Sequence, residues 1–365
     1  MKKLSVSCLL LVLISASIHA ETDTIPADKA ILSFRFKNIN FLRDNEYANP
    51  ITEGYTLLGY FIQPTFVYSP LKRLELTLGV QILNYAGTDK IRTPMLIFST
   101  KYKIAKNTSL IFGALDGCDK HRMDDPNFYA EKLYTNYTEN GIRVVTEKEK
   151  LFNDIWVNWE NFIFKGDTTR EIFQVGESFN YISPRFLGRF DLEIPVQVIF
   201  RHLGGQISDY PEHVETFCNG SAGLRINYSL GDGKYGRVAI EYQQFRFQYV
   251  SAHGNIGIKY GDAHWLRLHY NFRSFYFGSY YWKGHNFYAP EGNPIYSSIS
   301  NRYPDAIIPD RSIWTNSVYY TIHPAKFFEV FAGVDSYYDL VTRHMDGAIT
   351  LHLRFDQMFT LFRSR

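Results

Sequence analysis

The sequence predicts an all-β fold: a single closed antiparallel transmembrane β-barrel of about 16 strands, with short periplasmic turns and long outer loops. Three observations predict it. Apolar and polar residues alternate with period two through runs of about 10 to 14 residues, where ordinary strands run about 5–6 and a tilted membrane strand needs about 9–11. The polar side of these runs carries Arg225, Arg237, Glu241 and Arg267 in mid-strand, which suits a wetted interior with the apolar side turned to lipid. The connections alternate between tight and long, as a closed up-and-down barrel requires and a soluble sandwich does not.

The N-terminus comes first in chain order. Met1-Lys2-Lys3 is a short basic start, Leu9 to Ile14 an apolar core, and Ser15 to Ala20 a small-residue exit. This is the three-part form of a secretory signal, so residues 1–20 are expected to be removed; the apolar run is too short to span a bilayer. Removal takes away Lys2 and Lys3 and leaves 37 basic against 37 acidic side chains, a balance that argues against nucleic acid as a partner. Residues 21–30 read as a polar periplasmic leader and 31–365 as the barrel. No later run approaches ~20 apolar residues, so the exported chain either stays in solution or enters a membrane as a closed barrel.

The strands are expected at 31–38, 58–69, 72–85, 94–104, 107–118, 139–148, 151–165, 170–181, 187–203, 217–229, 234–248, 262–273, 275–288, 313–323, 326–338 and 346–356. Leu74, Leu76, Leu78, Val80 and Ile82 alternate with Glu75, Thr77, Gly79 and Gln81 in the third; Leu266, Leu268, Tyr270 and Phe272 alternate with Trp265, Arg267, His269 and Asn271 in the twelfth. Tight connections fall at 70–71, 105–106, 149–150, 183–186, 230–233, 274 and 324–325, and long ones near 39–57, 119–138, 204–216, 249–261 and 289–312. An even strand count places both termini on the periplasmic side. Tyr60, Tyr68, Tyr85, Trp156, Trp159, Tyr181, Tyr228, Tyr280, Tyr281, Trp282, Tyr319 and Tyr320 are expected near strand ends, at headgroup level. No internal repeat or linker appears, so the barrel reads as one domain.

In architecture, residues 31–362 resemble a sixteen-stranded porin-type outer-membrane barrel of a Gram-negative bacterium. The segments Asn45 to Pro64, Trp156 to Asp167 and Arg201 to Ile207 are similar to those of uncharacterised Bacteroidetes outer-membrane proteins. The resemblance implies an outer-membrane location, with outer-membrane lipid and the barrel-assembly machinery as partners and a homo-oligomer or an accessory protein as further candidates. One departure concerns the C-terminus, where Arg363-Ser364-Arg365 follow Phe362 in place of a terminal aromatic residue.

The loop after the fifth strand carries the densest polar chemistry. Asp125-Pro126 suits an N-cap and first helical position, predicting a short helix near 126–134. The resemblance implies that this third loop folds inward, making His121, Arg122, Asp124 and Asp125 the pore-constriction candidates; a solvated outer loop is the alternative. A metal site from His121, Asp124 and Asp125 would lack a regular motif, and no metal or cofactor is expected. By strand parity the lumen-lining candidates are Glu75, Arg143, Glu160, Glu193, Arg225, Arg237, Glu241, Arg267 and Arg354. Both signs occur, so the lining selects no ion class strongly; the charges pair across strands, and extensive pairing would block the interior. Cys118 and Cys218 lie at the outer rim on distant strands. A disulfide needs their Cα atoms within ~7 Å, which only an inward loop could give, and two free thiols are the other reading.

There is no HExxH, GxSxG or CxxC, and spacing places no serine with His202, His264, His269 or His352. The sequence therefore names no catalytic residue and reads as a non-enzyme. The expected function is a porin-like channel for passive diffusion of small polar solutes. The alternative is a non-conducting accessory or structural barrel whose long loops, such as 289–312, bind a surface or periplasmic partner; an embedded hydrolase is the remote third.

Overall fold

Period-two alternation becomes sixteen strands in the computed structural model, which describes residues 29–88, 90–91, 94–205, 207–251 and 256–364. They are β1 (Ile31–Glu46), β2 (Tyr55–Leu71), β3 (Leu74–Tyr85), β4 (Met95–Ala105), β5 (Thr108–Ala114), β6 (Asn140–Lys148), β7 (Leu151–Asn161) and β8 (Glu171–Ile182). The second half comprises β9 (Phe190–Gly204), β10 (Glu215–Ser229), β11 (Arg237–Tyr249), β12 (Tyr260–Phe272), β13 (Phe275–His285), β14 (Asp310–Ala325), β15 (Phe328–Asp339) and β16 (Met345–Arg363). Each strand pairs antiparallel with its sequence neighbours, and β1 pairs with β16 to close the barrel. Closure leaves no strand edge, the condition for backbone to cross hydrocarbon. The expected signal segment 1–20 and residues 21–28 of the leader lie outside the described residues.

Several boundaries differ from expectation by a few residues, such as the end of β7 at Asn161 in place of 165, and three of the shifts have a physical reason. β1 continues past 38 to Glu46, because Phe41, Arg43 and Asn45 keep the inward parity of Ile39. β5 stops at Ala114 instead of 118, since the chain then turns into the lumen and Cys118 sits in a 3₁₀ turn, Cys118–His121. β16 runs on to Arg363, where it still pairs with Ile31, so the last strand is extended.

The two faces of the wall separate as parity dictates. Leu78, Ile226, Leu268 and Ile349 are exposed on the outside, whereas Gln81, Asn227, Arg267 and Thr350, on the same strands, are buried inside. The interior is less wet than the sequence suggests. Trp156 and Trp282, expected in a headgroup belt, are fully buried inside the barrel, and Tyr280 and Tyr319 also point inward. Tyr60, Tyr68, Trp159, Tyr181, Tyr281 and Tyr320 remain on the outer wall.

Two loops supply what these inward rings pack on. Residues 115–139 bring Leu115, Phe128, Tyr134 and Tyr137 against Ile39, Phe41, Phe61 and Trp156. Residues 286–309 bring Phe287, Ile295 and Tyr296 against Phe245, Trp265 and Trp282. The loops join each other as well: the Tyr129 N–H donates to the Glu291 carbonyl at 2.7 Å, and the Asn293 N–H to the Asp125 carbonyl at 2.8 Å. The barrel thus encloses two hydrophobic cores built from its own loops.

Candidate functional site

The loop 115–139 is fixed to nearly the whole circumference of the wall. Tyr137 accepts from Lys37 on β1 at 2.8 Å, Thr138 accepts from Gln63 on β2 at 2.9 Å, and Asn127 donates to Ser221 on β10 at 3.2 Å. Tyr134 meets His352 on β16 at 2.8 Å, and Arg354 meets Asp119 at 3.3 Å. The expected helix near 126–134 is replaced by turns and one short α-helix, α1 (Lys132–Thr135). Asp125 caps no helix; its carboxylate instead accepts from the Ala130 N–H at 3.0 Å and from the Asn293 side chain at 2.7 Å. Burial pushes the Asp125 carboxyl up to about 6, against those two hydrogen bonds.

His121 is the centre of the buried polar chemistry. Its Nδ1 lies 2.8 Å from Asp154 and its Nε2 2.5 Å from Glu139, while the ring stacks on Trp156 at 3.7 Å. With a carboxylate at each nitrogen, both nitrogens donate and the ring is an imidazolium. Burial opposes that charge, but Glu139 and Asp154 outweigh it and raise the pKa above its ordinary value. Arg143 completes the cluster with a bidentate pair to Asp154, at 2.8 and 2.9 Å. Since His121 is fully buried, it is a structural cation in this arrangement.

The other constriction candidates part company. Arg122 is exposed and pairs with Glu147, whereas Asp124 binds Arg267 at 2.7 Å and accepts from Gln197 and Gln243 at 2.8 and 2.9 Å. From Asp124 a ladder of charges descends the wall: Arg267 to Glu241, Glu241 to Arg225 at 2.7 Å, Arg225 to Glu193 at 3.0 Å, and Arg237 to Asp191. Glu160 holds Arg201 at 3.1 Å. Glu75 lines a small interior pocket near Lys37 and Lys101, and Arg354 faces Glu329. The nine lumen-lining candidates therefore lie on the inner face, eight of them within these ion-pair networks. His121, Asp124 and Asp125 form no shared metal site; among the described residues no cluster of three or more His, Cys, Asp or Glu could hold a metal ion.

The disulfide alternative is corrected: both cysteines are free. Cys118 is buried in the loop, while Cys218 has the outward parity of β10. Burial pushes the Cys118 thiol well above its ordinary value, which makes it inert.

Sequence reasoning missed Glu291 and Asn293, which join the two loops, and Glu131 and Glu139, which fix loop 115–139 to the wall. Glu131 accepts from Asn45 at 2.7 Å and from Tyr129 at 2.9 Å, and Tyr55 also donates to it; Glu291 receives Lys132, Arg201 and Gln174. It also missed an arrangement on the outer wall. His202 Nδ1 lies 2.9 Å from the Thr216 hydroxyl, directly across the β9–β10 ladder. The His202 ring stacks on Phe173 at 4.8 Å, and Phe173 on Trp159 at 4.9 Å. These four residues form one row on the outward face of β7 to β10, close to the long-loop end.

Solved structures share the barrel. The chain is similar to a loop-deleted OmpT of Vibrio cholerae, with 13% identity over 90% of this chain and 100% of that one, TM-score 0.50. It is also similar to OpdK of Pseudomonas aeruginosa, with 10% identity, 90% and 99% coverage and TM-score 0.51. An anion-selective porin of Comamonas acidovorans matches with 8% identity, 90% and 100% coverage and TM-score 0.51. These likenesses establish a porin-type outer-membrane barrel fold. No curated protein matches the chain significantly. Residues 24–364 match a family model described as Lipid A 3'-O-deacylase-type, and this overturns the reading of the chain as a non-enzyme, because that family is one of enzymes. The chain belongs to the Lipid A 3'-O-deacylase-type family.

Proposed function

We propose that the chain is an outer-membrane acyl-ester hydrolase acting on a lipid A-type glycolipid, with its chemistry on the outer wall at His202 and Thr216. Family membership over residues 24–364 supports the activity. The observation that carries the placement is an imidazole 2.9 Å from an aliphatic hydroxyl, facing outward at the headgroup end of the barrel. The ester bonds of a glycolipid lie between its sugar and its acyl chains. A site at that depth on the wall reaches them while the chains stay in hydrocarbon. A site inside would have to draw the chains past two packed loops. His121 offers no alternative base there, since both its nitrogens are taken and it is fully buried.

The chemistry is that of an activated hydroxyl. With Nδ1 unprotonated, His202 accepts the Thr216 proton as Oγ1 attacks the ester carbonyl. The sugar oxygen leaves with that proton, and the acyl chain stays on Thr216. A water then gives a proton to the same nitrogen and attacks the acyl carbonyl; the bond to Thr216 Oγ1 breaks, Oγ1 takes that proton back, and the fatty acid is released. Phe173 and Trp159 give the row an aromatic shelf at interface level.

The test is mass spectrometry of lipid A in vesicles containing the refolded protein. Loss of one acyl chain is expected with the parent, and a fall of at least ~10²-fold with His202→Ala or Thr216→Val. Undiminished activity in both variants would move the chemistry off this wall.

A further inference from the structure

Beneath the loop stopper lies a cavity of about 350 Å³, walled by β12 to β16 and β1 and roofed by residues of both loops. It is at the small end of the ~300–1,000 Å³ usual for small-molecule sites. The hydrolase reading makes no use of it.

Its lining is aromatic and carboxylate-rich. Trp265, Tyr280, Tyr296, Tyr319 and Phe331 supply flat apolar surface. Four carboxylates, Asp124, Asp125, Glu131 and Asp335, face only two guanidiniums, Arg43 and Arg267. Both guanidiniums are engaged: Arg43 with Asp335 at 3.3 Å, Arg267 with Asp124 at 2.7 Å and with Glu241. An anionic ligand would therefore meet a wall of net negative charge with no cation to spare. Three of the lining residues nevertheless hold a buried polar atom with no hydrogen-bond partner among the described residues: the indole N–H of Trp265, the Nε of Arg267 and the hydroxyl of Thr315. Trp265 is 4% exposed. A buried polar group left without a partner is destabilising, so three on residues that wall one cavity call for a polar ligand inside it.

We propose that this cavity binds a neutral polyhydroxylated ligand, the size of one or two sugar rings. Ring hydroxyls accept from Trp265 and Arg267 and donate to the surrounding carboxylates, while the apolar faces of the sugar lie on the aromatic walls. The loops cover the outer side, so the ligand enters through the periplasmic half of the lumen. The site shares no residue with the His202 row, and its occupancy does not depend on ester hydrolysis.

The experiment titrates the full-length refolded protein in detergent with glucose, N-acetylglucosamine and maltose, and with glucuronate as the anionic control. Tryptophan fluorescence and calorimetry are the readouts. Saturable one-to-one binding of at least one neutral sugar is expected, with glucuronate weaker. Trp265→Phe keeps the ring and removes the N–H; about tenfold weaker binding is expected. Thr315→Leu fills the cavity and should abolish binding; should it not fold, as read by heat-modifiable gel mobility, Trp265→Phe decides alone. His202→Ala should bind the sugar like the parent, which separates this site from the hydrolase reading. Failure of all three neutral sugars to bind, tighter binding of glucuronate, or parent-like binding by Trp265→Phe would overturn the proposal.

Discussion

His121 shows how one side chain holds an inward loop. The imidazolium is clamped between Glu139 of its own loop and Asp154 of the wall, on a Trp156 platform. Removing the cation leaves two carboxylates facing each other in a buried site, so His121→Ala is expected to cost about 3–5 kcal/mol, measurable as a lower unfolding midpoint. The pH dependence has a definite sign. Because the folded-state pKa is raised above 6.5, the contribution is complete below that value and is lost as pH rises through the folded pKa. Hydrogen exchange in residues 115–139 should therefore accelerate above neutral pH by more than intrinsic exchange does, and His121→Gln should lack the extra acceleration. On the outer wall, His202 differs in every respect that matters: one nitrogen meets a hydroxyl, and the ring lies at the lipid boundary.

At the scale of elements, strand glycines decide how much the lumen can hold. Gly176 on β8 faces inward beside Trp156, and a Cβ there would collide with the indole ring. Gly176→Val is expected to displace Trp156, loosen its stack with His121 and release the loop, seen as faster proteolysis within 115–139 while the barrel stays folded. The tether between loops makes a second prediction. Asn293→Ala removes the side-chain hydrogen bond to Asp125 and should destabilise the loop pair by about 1–3 kcal/mol, read by exchange at residues 286–309. The strands were legible in the sequence because parity is local: Glu241 and Arg267 declare their face by their neighbours. The plug was not legible, because its partners are remote in sequence. Asp154 and Trp156 share a parity with each other, but nothing local says that His121 will lie against both. Trp156 and Trp282 were misplaced for the same reason, since a tryptophan near a strand end suits a headgroup belt until a loop arrives to bury it. The Thr216–His202 pair was hidden too, as it needs the cross-strand register of β9 and β10.

For the whole molecule, the barrel is closed by strands and stoppered by loops. Two hydrophobic cores and a continuous ladder of ion pairs occupy a space that a general diffusion channel would leave to water. In a planar bilayer the parent protein is expected to give few or no stable open steps, and a variant lacking residues 118–136 and 288–306 should conduct. Such a body suits an enzyme that works on the lipid around it, with the loops bracing the wall from within. The most direct test is the mass of lipid A after incubation with the purified protein in vesicles. The account predicts the loss of one fatty acyl chain with the parent and an unchanged mass with His202→Ala. An unchanged mass with the parent, under conditions where the barrel is shown to be folded, would contradict it.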